Sequence, residues 1–317
     1  MKTVTILQND AGQRLDKFLL KLMPDMPKGM LYKLIRKKDI KYNGSRCKGM
    51  EILQCGDVLT LYVKEEFFAT AGKTLHRAAS GNITPVYEDA DVLIVYKPSG
   101  MYAHGGNEKN AVSLIDEIQK YLLDRGEYHP DEEQTFSPAL CNRIDRNTEG
   151  LVIAAKNAQA LRVMNAAIRD RQVQKAYLAI TAAPLPKRSD VCTAWLKKDS
   201  RQNMVKVLDS PPDKSWQKIR TGYRVLAQNG SRQLVHIDLF TGRTHQIRAH
   251  FAHLGAPLLG DPKYATGRSA EENQCLCAYA LTFSGLEDSC LSHLSGKCIT
   301  ANMPEFVRRY FPDFRFG

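Results

Sequence analysis

Asp145 stands between Arg143 and Arg146 in the segment Leu140-Cys141-Asn142-Arg143-Ile144-Asp145-Arg146-Asn147-Thr148-Glu149-Gly150-Leu151. A carboxylate held ionised by nearby cations can serve as a nucleophile or as an electrostatic partner. A surface turn with an ion-pair cluster accounts for the same residues, so this segment alone leaves both readings open. A second segment rich in chemistry runs from Thr241-Gly242-Arg243-Thr244-His245-Gln246-Ile247-Arg248 through His250 and His253 to Gly255. Thr244 is the expected N-cap and Gly255 the expected stop of a helix with Ile247, Phe251 and Leu254 as its apolar stripe. Arg248 then falls about one turn from the helix start, within reach of a buried anion. His250 and His253 stand at i and i+3, a spacing open to metal ligands, but no third ligand of suitable spacing accompanies them. Polar or phosphate contacts suit them better. Tyr177 follows Lys175-Ala176 at the entrance to an apolar strand, where most tyrosines are simply half-buried. Lys97-Pro98-Ser99-Gly100 after a strand reads as a tight turn. Neither the spacing of a phosphate loop nor a dinucleotide fingerprint occurs.

Two patterned regions must position these residues. In the first, Leu15, Phe18, Leu19 and Leu22 recur at helical spacing, Pro24 and Pro27 break that helix, and Leu31, Leu34 and Ile35 form the apolar side of a second. Lys28, Lys33, Arg36, Lys37 and Lys38 cover its remaining surface. Ile40-Lys41-Tyr42-Asn43-Gly44, followed by Arg46, predicts a hairpin turn at Asn-Gly, and Cys55-Gly56-Asp57 a turn into a strand at Val58-Leu59-Thr60-Leu61. This unit spans residues 1–65, its pattern beginning near Gly12. Residues 66–82 lack sustained periodicity and read as a linker. Residues 83–317 form the second unit, with strands expected at Val92 to Tyr96, Leu151 to Ala155, Ala176 to Thr181 and Leu234 to Phe240. Helices are expected around Val112 to Leu123 and from Ala158 to Arg169.

Charge narrows the partner. The formal net charge is +11, and residues 1–80 carry 15 Lys and Arg against 8 Asp and Glu. Such asymmetry points to a polyanion, because each neutralised phosphate releases condensed counterions; a solvated basic face is the bland alternative. No apolar run approaches the roughly 18 residues of a membrane span, and no signal-peptide pattern is visible, so a cytoplasmic chain is expected. The eight cysteines contain no C-x-x-C pair and are expected as free thiols. Cys275 and Cys277 have the spacing of alternation along a strand.

The first unit resembles the small α-L RNA-binding module named after a small-subunit ribosomal protein, over "DKFLLKL…LYKLIRKKDIKYNGSRCKGMEILQCGDVLTLYV". That resemblance implies that the second helix and the hairpin grip structured RNA. The second unit resembles the RluA-type pseudouridine synthases through four segments in matching order. These are "VYEDADVLIVYKPSGMYAHGG", "NRIDRNTEGLVIAAKN", "VQKAYLAI" and "TGRTHQIRAHFAHLGAPLLGDPKY". It implies an α+β fold with a mixed, largely antiparallel catalytic sheet behind the RNA-binding module. It further implies a cofactor-independent and metal-independent isomerase that breaks the ribose–base bond of selected uridines, rotates the base and rejoins it through carbon. By the same resemblance Asp145 is the nucleophile, attacking either the anomeric carbon or the uracil ring, and Arg248 pairs with it. Tyr177 stacks on the flipped uracil near the proton lost from the ring, and Arg143 fills the space that the nucleotide vacates. Arg243, Lys97 and His245 are candidates for neighbouring polar or phosphate contacts. The implied partner is structured RNA, by analogy large-subunit ribosomal RNA rather than transfer RNA, and the implied state is a monomer.

Two positions depart from the family pattern. Asn142 stands where histidine is common, and Glu149 where serine precedes Gly150. Asn142 keeps hydrogen-bonding capacity without a cation, and Glu149 is expected to add negative charge near the substrate. These departures leave room for a catalytically silent RNA-binding or ribosome-assembly factor on the same scaffold. A metal hydrolase built on His245, His250 and His253 is a further alternative.

Overall fold

The structure is a computed structural model that describes residues 1–68, 78–105, 111–199, 204–266 and 270–316. In the first unit, β1 (Lys2–Thr5) precedes α1 (Leu15–Leu22) and α2 (Lys28–Lys37), and β2 (Ile40–Tyr42), β3 (Ser45–Arg46) and β4 (Val58–Leu61) follow. The strands pair in the order β1-β4-β2-β3. Phe18, Leu19 and Leu31 from the helices and Ile40, Leu59 and Leu61 from the strands share one buried cluster. Asn43 and Gly44 both have positive φ, as a two-residue turn between twisted strands requires. The sequence pattern did not reveal β1, because only Val4 of its four residues is buried and no alternation can show.

The second unit begins with β5 (Thr84–Glu88), β6 (Val92–Lys97), α3 (Leu114–Asp124), β7 (Ala139–Leu140), β8 (Glu149–Ala155), α4 (Ala158–Arg169) and β9 (Val173–Thr181). It continues through β10 (Ser189–Asp199), β11 (Met204–Leu208), β12 (Gln217–Asn229), β13 (Arg232–Leu239) and α5 (Gln246–His253). β14 (Leu276–Phe283), β15 (Cys298–Thr300) and α6 (Glu305–Tyr310) complete it. One sheet runs β11-β10-β12-β13-β9-β14-β8-β6-β5, with β15 on β14 and β7 on β8. The β8–β14 pairing is parallel and the others are antiparallel, so the fold is α+β with a mixed, largely antiparallel sheet.

Burial on both sides of the sheet explains the continuous apolar runs in β6 and β8. Val92, Ile94, Leu151 and Ile153 pack with Ala160, Met164 and Ala167 of α4. Leu93, Val95, Val152 and Ala154 pack with Leu114, Ile118 and Leu122 of α3. Asn157 caps α4 by accepting a hydrogen bond from the Ala160 amide at 2.8 Å, which sets the predicted start of that helix. Gly150 has φ +115°, and a Cβ there would lie 2.3 Å from the Ala278 carbonyl oxygen. The parallel contact between β8 and β14 therefore demands glycine at this position.

β10 and β12 were not anticipated. Val191 and Trp195 place apolar side chains on the open side of β10, which hides the alternation of Ala194 and Leu196. A register shift between Val225 and Ala227 interrupts the period of β12. Cys277 lies within β14 and Cys275 immediately before it, both buried and free.

The expected linker is anchored at both described ends. Phe68 packs into the first unit's core, and the Ser80 amide donates to Glu117 of α3 at 3.0 Å; residues 69–77 lie outside the described residues. The units also touch directly: Asn9 donates to Glu133, Gln134 donates to the Thr5 carbonyl at 2.7 Å, and Asn9 accepts from the Ala158 amide. Among the described residues no helix is long and apolar enough to cross a membrane.

Candidate active site

Asp145 lies in the connection between β7 and β8, and its side chain is about one quarter exposed, at 27%. It borders a cavity of about 490 Å³ that is also lined by Arg143, Tyr177, Arg243, His245 and Arg248. The chain thus brings together six of the seven residues singled out for chemistry, with Asp145 and Arg248 lying 103 positions apart in sequence.

Arg248 belongs to the first turn of α5 and is buried. Its Nη1 donates to Asp145 Oδ2 at 3.1 Å. On the other side, Nε and Nη2 donate to the two oxygens of Asp261 at 2.7 and 2.9 Å. This two-bond fork holds the planar guanidinium in one orientation. Burial disfavours the Arg248 charge, but the bonds to Asp261 and the charge of Asp145 outweigh it and leave the pKa raised. Asp261 has no exposed side-chain surface, and its Oδ1 also accepts from the Lys263 and Tyr264 amides. In the sequence Asp261 stands within "GDPKY", where Gly-Asp-Pro is an ordinary turn signal and nothing marks the carboxylate as special. Tyr264 was missed as well. Its ring lies 5.3 Å from the Arg248 guanidinium, and its hydroxyl lies 2.9 Å from His245 Nδ1.

His245, not Thr244, occupies the N-cap of α5, with φ 52° and no side-chain capping bond. That left-handed backbone turns the imidazole into the cavity, with Nε2 at 3.9 Å from Asp145 Oδ2. Burial lowers its pKa against the pull of Asp145, so the ring is neutral at neutral pH. Tyr177 sits mid-sheet on β9, opposite Ile237 of β13 and Ala278 of β14. It is 6% exposed, and burial, reinforced by the Asp145 charge, raises its pKa so that the phenol keeps its proton. Arg143 is exposed and makes no ion pair among the described residues.

Lys97 requires a correction. Expected at a polar or phosphate contact, it is wholly buried and does not line the cavity. Its ammonium donates to the carbonyls of Pro98, Met101 and Arg146 at 2.8, 2.9 and 2.8 Å. All three donors are spent on staple bonds that hold the loop after β6 to the loop carrying Asp145. Burial pushes its pKa down to about 8, against the charges of Asp145 and Glu149. Arg146 ties the same two loops, donating to the Gly100 carbonyl and the Tyr102 hydroxyl, both at 3.0 Å.

Of the two departures from the family pattern, Asn142 lines the Asp145 cavity and Glu149 does not. Asn142 accepts from the Ile153 amide of β8 at 2.8 Å. Glu149, expected near the substrate, instead lines a separate cavity with Glu271, Glu305 and Arg309, and burial raises its pKa. Lys28, Lys33, Arg36, Lys37, Lys38 and Arg46 are all exposed on α2, its C-cap and β3; none lines the Asp145 cavity.

The three histidines of the metal-hydrolase alternative diverge. His245 meets Tyr264, His250 meets Thr221 Oγ1 at 3.1 Å, and His253 meets Asp209 at 2.8 Å. His250 is 1% exposed, and burial lowers its pKa to about 4. An unfolded histidine protonates near pH 6.5. The stability this neutral ring contributes is therefore complete above pH 6.5 and is lost as pH falls towards 4, by about 3 kcal/mol in total. His104, His236 and His245 have lowered values and act in the same direction. Urea unfolding from pH 7.5 to 4.5 is expected to fall less steeply for His250→Gln than for the parent chain; parallel curves would refute the assignment.

Comparison with known proteins agrees with this architecture. A sequence model of the family described as RNA pseudouridylate synthase matches residues 91–253. A Vibrio cholerae protein named ribosomal large subunit pseudouridine synthase C is 33% identical over 270 residues, covering 84% of this chain and 81% of that protein. Its namesake from Haemophilus influenzae is 31% identical, covering 83% and 79%. Among solved structures, human RNA pseudouridylate synthase domain containing 4 superposes with a TM-score of 0.57 at 22% identity, over 70% of this chain and 89% of that one, a likeness of fold. The chain therefore belongs to the RNA pseudouridylate synthase family, and it is an RNA pseudouridine synthase, an isomerase.

Proposed function

We propose that this chain modifies uridines of large-subunit ribosomal RNA in the cytoplasm, acting as a monomer with Asp145 as its nucleophile. What carries the catalytic assignment is the Asp145 carboxylate, paired with Arg248 at 3.1 Å beside a cavity that also holds Tyr177. In the proposed course the carboxylate attacks the anomeric carbon or the uracil ring, and the bond between ribose and base breaks. The base rotates and its carbon joins the ribose as the bond to the carboxylate breaks; the proton on that carbon is lost and the nitrogen freed from ribose takes one up, so the product is an isomer. Covalent catalysis of this kind requires neither metal nor nucleotide. Arg248, gripped by Asp261, orients the carboxylate. A phenol with a raised pKa is a poor base at neutral pH, so the part of Tyr177 is to stack on the flipped uracil. Arg143, exposed at the cavity and without an ion pair among the described residues, replaces the extruded nucleotide, and Arg243 and His245 make polar contacts beside it. Extrusion costs a few kcal/mol, which stacking and phosphate contacts offset. Residues 1–65 act as the α-L RNA-binding domain through Lys28, Lys33, Arg36, Lys37, Lys38 and Arg46, with 66–82 as linker and 83–317 as the catalytic domain.

The names of the Vibrio and Haemophilus relatives support the ribosomal target. Pseudouridine mapping of cellular RNA with and without the chain is expected to show loss of specific large-subunit sites. Loss confined to transfer RNA would refute that target.

A further inference from the structure

The edge of the catalytic sheet formed by β10, β11 and β12 has one covered side and one open side. Ala194, Leu196, Val205 and Ile219 pack against Ala249 of α5 on the covered side. Residues of the other parity face outward: Trp195 lies opposite Lys218 of β12 and Leu208 of β11, and Thr193 lies opposite Arg220. On this open side Phe240 and Leu208 are 40% and 38% exposed. Cations cover its aromatic rings: Arg220 over Phe240 at 4.5 Å, Lys197 over Trp216 at 5.9 Å and Lys218 over Trp195 at 6.0 Å.

Charge and position indicate what covers the surface. Residues 189–243 contain ten Lys and Arg, five Asp and no Glu. Asp190, Asp209 and Asp213 are engaged by Lys187, His253 and Lys197, whereas Lys218 and Arg220 make no ion pair among the described residues. Phe240 lies across Gly222, with a ring carbon 3.1 Å from where a Cβ would stand. It directly follows Leu239, which lines the Asp145 cavity, and Gly242 and Arg243 line the same cavity. The aromatic and basic strip therefore starts at the cavity rim. Alternating aromatic rings and mobile cations suit unpaired RNA, whose bases stack on the rings while the cations turn to the phosphates.

We propose that the open side of β10, β11 and β12 is a second RNA-binding surface, on which unpaired nucleotides next to the modified uridine stack on Trp195, Trp216 and Phe240. The proposal rests on the Asp145 cavity being the place where the uridine enters.

Both tryptophans of the chain lie here, so its intrinsic fluorescence reports on this surface. Titration of the full chain with a short oligouridylate is expected to quench tryptophan emission. The exposed double variant Lys218→Gln/Arg220→Gln is expected to bind about tenfold more weakly, and its salt slope to fall by about 1.4 for two lost single-strand phosphate contacts. Phe240→Ser is expected to weaken binding by about tenfold through lost stacking. Circular dichroism verifies that each variant is folded. Binding of labelled oligouridylate without quenching, and with the parent affinity in both variants, would overturn the proposal. So would a concentration-dependent shift of tryptophan emission without RNA, which assigns the surface to a second copy of the chain. Oligouridylate binding involves no modification, so an error in the target RNA or in the nucleophile leaves this outcome unaffected.

Discussion

Asp145→Asn is expected to lower pseudouridine formation by more than about 10⁴-fold while RNA affinity stays within a few-fold. The amide matches the carboxylate in shape and can still accept the hydrogen bond from Arg248, but it is not a nucleophile. The fold has little to lose, because Arg248 keeps its two-bond pairing with Asp261. The proposed RNA contacts on the basic surfaces are likewise untouched. The check is nucleoside analysis of RNA after incubation with parent and variant, together with filter binding of the same RNA. Undiminished product would remove Asp145 from the mechanism, and lost binding would show that it holds substrate instead.

Asp261→Asn is expected to reduce stability by about 3 to 5 kcal/mol, because it strips the main counter-charge from a buried arginine. Arg248 is 4% exposed and would then have Asp145 as its remaining anionic partner. The asparagine amide also cannot accept the Lys263 and Tyr264 amides and the guanidinium fork together. In the folded fraction, activity is expected to fall about 10²-fold, the scale of a misplacement near 1 Å at a reacting group. Urea unfolding and single-turnover rates measure the two effects separately. Replacing both partners, as Arg248→Met with Asp261→Leu, is expected to restore much of the stability, since well-packed apolar residues often match a buried ion pair. It should not restore activity. An Asp261→Asn chain as stable as the parent would show that the pair carries no such weight.

Local patterns account for what the sequence revealed correctly. α1 and α4 fall where periodicity places them, with Asn157 capping α4, since a helix depends on contacts three and four residues apart. β6 and β8 were visible because both of their sides are buried, which makes the apolar run unbroken. β10 was not, because Val191 and Trp195 mix apolar residues into its open side, and β12 was not, because a register shift interrupts its period. The same open side of β10 now stands as part of a candidate RNA surface, so the feature that hid that strand is the one that suggests its use.

By itself the sequence determined the basic first unit and the charged segments around Asp145 and Arg248, while its resemblance to a known family supplied the α+β class and singled out Tyr177. Only the tertiary structure decided what surrounds them. It turned Lys97 from a candidate phosphate contact into a buried staple, moved Glu149 to another cavity, and revealed Asp261 as the anion that grips Arg248. Residue type and local period are written in neighbouring positions. Whether a charged side chain faces a cavity or three carbonyls depends on strand register and loop closure across many tens of residues, and that information is collective.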